Sequence, residues 1–271
     1  MNREITFITP CFCRGADCSE NGMPEIRPAS IRGQLRWWFR ALYDDPQKEN
    51  DLFGSIQRGG HASKVIVRVR SASALKIINS PTLPHKGTSG IAAPKKAIAP
   101  HETFELLISW RLQPSEAQKK DFDRALNAWL LMGALGLRAT RGGGNFTYKG
   151  QVQTPEEYRA EIQKMTEGSK IEAGLSSTSY KDSESARKII TDTLKNLPGD
   201  PLGTVQGNKR KTSPLRFRIV QLGNRFHIAC IWDGRENITG NQVEDFWAAI
   251  EELIKKRKQI GNILDECFPA E

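Results

Sequence analysis

Nowhere in the 271 residues is there an uninterrupted apolar run of the ~18 residues that a membrane helix needs. The N-terminal MNREITFITP has no apolar stretch of the kind that opens a secretory signal, so the sequence predicts a soluble, cytoplasmic protein. Cysteine is scarce and odd in number, five in all, which argues for a reducing compartment rather than a disulfide framework. Three of the five, Cys11, Cys13 and Cys18, have C-x-C-x4-C spacing without a fourth ligand nearby, so they read as loop and core thiols and no metal is expected. No paired carboxylates and no H-x-x-x-H spacing suggest a metal centre elsewhere, and no cofactor is implied.

Acidic residues are also few where basic ones are many. The formal charge is +9, and residues 1–150 carry 22 Lys/Arg against 13 Asp/Glu, whereas residues 151–271 carry 18 of each. The whole surplus lies in the first half, which favours nucleic acid or an acidic surface as its partner.

Hydrophobic periodicity gives the first half the order β-α-β-β-α-β. REITFIT (3–9), KVIVRVRS (64–71), ETFELLISW (102–110) and NFTYKG (145–150) read as strands, with SIRGQLRWWFRALY (30–43) and PSEAQKKDFDRALNAWLLMGAL (114–135) as helices. Residues 79–101 are rich in Pro, Gly and Lys and read as a long exposed loop, and LFGS (52–55) lies in another. The second half offers helices over 154–165, 184–197 and 242–258, with a hairpin of 214–222 and 225–232 turned at Gly223-Asn224. The fold class expected is α+β, two ferredoxin-like (RRM-like) domains in tandem, residues 1–150 and 151–271, the second less regular.

Two features suggest chemistry. GLRATRGGGNF (136–146) follows an apolar helix and precedes a strand, the reverse of a nucleotide loop, and it fails the Walker spacing because Arg141 stands where Gly is needed. It is either a helix C-cap and turn or a cationic loop that lies along a polyanion. In 30–43, Ile31, Leu35, Trp38, Phe39 and Leu42 share one arc, and Arg32, Arg36 and Arg40 form an adjacent stripe at i, i+4, i+8 with no acid in the helix. Such a stripe repels itself unless something negative neutralises it. Ser30 is placed to cap this helix, and Gly33 beside the stripe leaves room for a close backbone approach.

ITPCFCRGAD (8–17), PEIRPASIRGQLRWWFRAL (24–42), LFGS, GALGLRATRGGGNF (133–146) and TSPLRFRI (212–219) together resemble the RAMP superfamily of CRISPR effector subunits, and within it the first-subunit family of the Cmr (type III-B) complex. The resemblance implies a non-catalytic RNA-binding subunit at the spacer-distal end of a complex of guide RNA and target RNA, among other RAMP subunits, serving antiviral defence. It implies that Ser30, Arg32, Arg36 and Arg40 lie against phosphates and that Arg138, Arg141, Gly142, Gly143 and Gly144 lie near RNA or a neighbouring subunit. Arg14 stands where the family usually has Gly, and the resemblance implies that it would add one phosphate contact. Two alternatives stay open. One is a metal-independent endoribonuclease using His85 or His101 with Lys95 or Lys96, or Asp17 in the loop after the first strand. The other is a scaffold whose arginines bind acidic protein neighbours.

Overall fold

Alternation in the first strand decides its two faces. In β1 (Asn2–Phe7), Ile5 and Phe7 are buried while Asn2 and Glu4 are exposed. A computed structural model describes residues 1–15, 17, 22–56, 60–84, 94–193, 205–206, 209–210, 213–235 and 258–268. Its first sheet also contains β2 (Val65–Arg70), β5 (Thr103–Trp110) and β6 (Phe146–Tyr148), in the order β2-β5-β1-β6 with every neighbour antiparallel. Helices α1 (Pro28–Tyr43) and α3 (Glu116–Met132) cover its apolar face, burying Leu35, Trp38, Phe39, Phe122, Leu126 and Trp129 against Ile5, Phe104 and Leu106. α3 starts on a capping box: Gln118 N donates to the Ser115 hydroxyl and Ser115 N donates to the Gln118 side chain.

Three elements depart from the sequence expectations. Between α1 and β2 the chain forms α2 (Pro46–Phe53), where a loop was expected; Asp45 caps it by accepting from Gln47 N and Lys48 N, and Pro46 is pre-set for the first turn. The 79–101 segment is not simply a loop, because β3 (Ile77–Pro81) pairs with β4 (Pro94–Ile98). Two of its prolines, Pro81 and Pro94, face each other at the last rung, where a missing donor costs least. Ile98 then bridges to Cys11, tying the hairpin to the segment after β1. The third departure is β7 (Ile171–Tyr180), whose small and hydroxyl-bearing residues give no clean alternation.

In the second half, α4 (Pro155–Thr166) leads to β7, followed by α5 (Ser183–Thr193), the short pair β8 (Val205–Gln206) and β9 (Lys209–Arg210), then β10 (Leu215–Leu222), β11 (Arg225–Asp233) and α6 (Lys258–Cys267). The sheet order is β10-β11-β7, and the β10–β11 hairpin turns at Gly223-Asn224 as the sequence predicts. The 242–258 helix lies outside the described residues except for Lys258, which opens α6. α6 sits so close to β7 that a Cβ on Gly174 would meet the Cys267 carbonyl oxygen at 1.9 Å.

Both faces of the second sheet are covered. Ile219, Ile228 and Trp232 pack with Ala186, Ile190, Ile263 and Leu264, while Val220, Leu222, Ala229 and Ile231 join the core of the first half. The junction is fastened by Arg218 on β10, wholly buried, which donates to the Leu130 carbonyl at 2.9 Å, the Phe146 carbonyl at 2.7 Å and the Gly133 carbonyl. Its guanidinium also lies over the Phe146 ring at 4.7 Å. α3 has no basic residue in its own last turn, so Arg218 supplies the cation that its C-terminal carbonyls favour. Replacing Arg218 with Met leaves three buried carbonyls without this donor and is expected to lower stability by about 3 kcal/mol or more. Urea unfolding followed by circular dichroism measures it, and a loss below about 1 kcal/mol contradicts this role for the guanidinium.

Candidate functional site

The first turn of α1 is exposed and unusually bare of negative charge. Pro28 occupies the first helical position, so the helix starts two residues earlier than the sequence suggested and Arg27 takes the cap position, with no side-chain cap. Ser30 is therefore not the N-cap; its own N–H donates to the Arg27 carbonyl at 2.9 Å and its side chain is exposed. No acid lies in the first turn. Arg27, Ser30, Arg32 and Gly33 form an exposed group, and a Cβ on Gly33 would meet nothing within 4 Å.

The self-repelling stripe is resolved from outside its own helix. Glu49 on α2, 2 % exposed, accepts from Arg36 Nε at 2.7 Å, from Arg40 Nε at 2.6 Å and from Arg40 Nη2 at 2.8 Å. Burial alone would raise the Glu49 pKa, but hydrogen bonds from Arg40 and Arg36 and their charges outweigh it and hold the carboxyl below its usual range. The same hydrogen bond raises Arg40. Arg40 thus has two of its three nitrogens committed to Glu49, Arg36 only its Nε, and Arg32 has no hydrogen-bond or ion-pair partner among the described residues.

The glycine loop is built into the interior. Gly144 N donates to the Pro10 carbonyl, Leu135 N to the Gly144 carbonyl and Leu137 N to the Phe12 carbonyl, so the loop is stitched to the segment after β1. From the other side Phe217 N donates to the Thr140 carbonyl and Ile219 N to the Asn145 side chain. Gly142, Gly143 and Gly144 are buried. At Gly144 φ is +61° and a Cβ would lie 1.8 Å from the Leu135 carbonyl oxygen; at Gly142 φ is +75° and a Cβ would press on Ile190 and Ile219. The glycines meet demands of packing inside the protein, and the cations beside them face outward more than they do.

Arg138, at φ +64°, and Arg141 are each half-buried, and burial followed by the Arg138 charge pushes Arg141 down. A third guanidinium joins them that no motif had indicated. Arg187 on α5 is wholly buried, lies over the Phe12 ring at 5.3 Å, and donates to the Pro81 carbonyl at 2.7 Å and to Glu184 at 3.3 Å. A single basic residue in an amphipathic helix carries no signal of such a place. Similarly, Arg216 on β10 lies over the Trp37 ring at 3.6 Å, joining the second sheet to α1. Burial, then the charge of Arg235 against the opposing Asp233, brings Arg216 down to about 10.

The remaining candidates are dispersed. Arg14 is exposed and bridges to Pro24, and Asp17 is exposed. Cys11 and Cys13 are buried with their sulfurs 3.0 Å apart, and burial pushes the Cys11 thiol up. Cys18 lies outside the described residues, and among the described residues no three His, Cys, Asp or Glu gather as metal ligands. His101 is exposed at φ +70° in the turn before β5, Lys95 and Lys96 are on β4, and His85 lies outside the described residues. No helix among the described residues is long and apolar enough to cross a membrane.

These features define an α+β protein with antiparallel sheets and a cationic face on the first helix. The RAMP superfamily model matches residues 4–147, more than half of the chain, and the chain belongs to that superfamily. It is 28 % identical over 222 residues to CRISPR system Cmr subunit Cmr1-1 of Pyrococcus furiosus, covering 73 % of this chain and 59 % of the relative. Subunit Cmr1-2 of the same organism is 38 % identical over 74 residues, 24 % of this chain and 36 % of that one. The chain therefore spans less than two thirds of the length of these curated relatives. In fold it resembles the crystal structure of Cmr1 from Pyrococcus furiosus (apo form), with a TM-score of 0.60, 22 % identity, and coverage of 85 % of this chain and 86 % of the other. It also resembles a chain in a cryo-EM structure of the Type III-B Cmr-beta bound to cognate target RNA and AMPPnP, in the presence of ssDNA, with a TM-score of 0.59, 12 % identity, and coverage of 94 % and 98 %.

Two glycines separate structural from open positions. Gly144→Ala is expected to destabilise by about 3 kcal/mol or more, through left-handed strain and the carbonyl clash. Gly33→Ala, mid-helix in open space, is expected to stabilise by about 0.5–1 kcal/mol. Thermal or urea unfolding of both variants checks the pair.

Proposed function

We propose that this protein is a non-catalytic RNA-binding subunit of a type III-B Cmr effector complex, contacting the backbone of guide RNA or target RNA at the spacer-distal end. The observation that carries the reading is the exposed, carboxylate-free first turn of α1, with Arg27, Ser30, Arg32 and Gly33 beside Arg36. Cations flanking an open glycine suit a sugar-phosphate chain, whose contacts position a protein without carrying sequence information. Similarity to Cmr1-1 supports the assignment to a complex with other RAMP subunits. Within it, residues 1–150 and 151–271 act as two ferredoxin-like units. The first sheet has that plan's strand order once β3 and β4 are set aside, and the second has three of its four strands among the described residues. The protein works in the cytoplasm in antiviral defence, and Arg14, Arg138 and Arg141 extend the cationic track towards RNA or a neighbouring subunit.

The open face of the first sheet is not the RNA surface in this reading. It carries Asn2, Glu4, Thr6, Arg68, Arg70, Thr103, Glu105 and Leu107, with Glu4 directly opposite Glu105. Among these there is no aromatic platform for bases, and Arg70 is engaged by Glu105, to which its Nε donates at 2.7 Å.

Arg32→Ala with Arg36→Ala is expected to weaken binding of single-stranded RNA similarly for unrelated sequences and to reduce the salt slope by about one for each phosphate that is no longer neutralised. Fluorescence anisotropy across a salt series measures both. Weakening confined to one RNA sequence, or an unchanged slope, overturns the backbone-contact reading.

A further inference from the structure

Glu49 occupies a place that composition alone cannot justify. It is a carboxylate with 2 % exposure, the acid that meets the arginine stripe among the described residues, and it is supplied by a different helix. Its helix is fixed on several sides: Asp45 caps the start, Leu52 and Phe53 enter the core, Lys48 reaches Asp121 on α3 at 3.7 Å, and the His61 ring meets the Asn50 carbonyl at 2.8 Å. A carboxylate so anchored holds guanidinium groups in one orientation. It does so unequally. Arg40 gives Glu49 an Nε and an Nη in bidentate fashion, whereas Arg36 gives only Nε, and its two terminal nitrogens have no partner among the described residues. Arg36 is 32 % exposed and Arg40 47 %, so both reach solvent, but only Arg36 has both terminal nitrogens uncommitted among the described residues.

We infer that Glu49 is a positioning residue for anion binding: it fixes Arg36 so that its terminal nitrogens face the same exposed ground as Arg32, and it commits two of the three Arg40 nitrogens, leaving that arginine the smaller share of contact. The inference rests on the RNA-binding reading above and deepens it by assigning different tasks to three arginines that look equivalent in sequence. Two N–H groups of a planar guanidinium held at a set angle match two oxygens of one phosphate, and pre-setting the angle spares the entropy of ordering a long side chain.

Electrostatics and positioning give opposite signs for one substitution, which makes the inference testable. Glu49→Gln removes a negative charge from beside the arginine stripe. If Glu49 only neutralises its neighbours, the variant binds polyanions more tightly, because local positive charge has risen. If Glu49 positions Arg36, the variant binds more weakly in spite of the added charge. The amide keeps one acceptor oxygen in place of two: at the Oε1 position it can accept from Arg36 Nε and Arg40 Nη2 while its NH2 group opposes Arg40 Nε, at the Oε2 position its NH2 group opposes Arg36 Nε, and in both the charge that strengthens the hold on Arg36 is gone.

The measurement is binding of a mixed-sequence single-stranded RNA of ~20 nucleotides to the full chain, by anisotropy at several salt concentrations, with thermal unfolding of each variant alongside. We expect Glu49→Gln to weaken binding by about five- to tenfold, close to Arg36→Ala, and to have no further effect in the Arg36→Ala background. Arg40→Ala is expected to cost less than Arg36→Ala. Glu49→Asp keeps the charge but withdraws the carboxylate by one methylene. It covers the case in which the glutamine variant does not fold, and is expected to weaken binding as well. Unchanged or tighter binding by a folded Glu49→Gln or Glu49→Asp variant, or an equal weakening in the Arg36→Ala background, overturns the inference while leaving RNA binding standing. A parent chain that binds no RNA at low salt overturns both.

Discussion

A buried guanidinium holds the two halves of this fold together. Arg218 comes from the second sheet and ends among carbonyls of α3, Gly133 and β6, all in the first half. Taking a cation wholly out of water is costly, and burial does push this arginine down, so the site persists only because several carbonyls and the Phe146 ring face give it a partner on most sides. The carbonyls have the complementary need, since α3 ends in a glycine and offers no cation of its own. The next residue on β10, Ile219, gives its N–H to Asn145, and Phe217 gives its N–H to Thr140. The glycine loop is therefore moulded from behind by the second half and stitched in front to the segment after β1. Its conformation belongs to the junction rather than to the loop itself.

Other arginines follow the same rule. Arg124 on α3 donates to the Met165 and Glu167 carbonyls at the end of α4, Arg159 on α4 to the Leu175 carbonyl of β7, and Arg187 to Pro81. Carbonyls at the end of α4, at the end of β3 and beside the irregularity in β7 are met by cations borrowed from neighbouring elements. A net charge of +9 is thus a poor measure of how much positive surface is available, because part of the arginine content serves the interior. Among the exposed arginines, Arg27 and Arg32 stand at the start of α1 with no acid in that turn.

Strong periodicity made most of the first sheet and both of its long helices legible, because each element there has one wet face and one dry face. The elements missed lack that contrast. PQKENDLF, the sequence of α2, is short and mostly polar, although the Asp45-Pro46 pair is a start signal that would have found it. IEAGLSSTSY, the sequence of β7, offers small and hydroxyl residues in no clean alternation, and among the described residues it pairs in the sheet with β11. The 79–101 segment has loop composition and becomes strand at its two ends because Ile98 has Cys11 to pair with. The arginine stripe was read correctly as unneutralised within its helix. Its neutraliser, Glu49, could not be read, because nine residues and a turn separate it from Arg40 and no local rule pairs positions so spaced.

The same distinction explains why the three glycines and three arginines, equally prominent in sequence, differ in what they contribute. A glycine signals only that a Cβ is unwelcome, and the excluded volume belongs either to the protein or to a ligand. At Gly144 it belongs to the Leu135 carbonyl, whereas at Gly33 nothing of the protein is within 4 Å. An arginine signals only that a planar cation is wanted, and its acceptor is likewise inside or outside: Arg40 has found Glu49, Arg32 has found none among the described residues, and Arg36 is divided between the two. Positions whose requirement is left unmet by the fold coincide on one turn of α1. That coincidence, rather than the richness of any motif, is why the proposed RNA contact is placed at that turn.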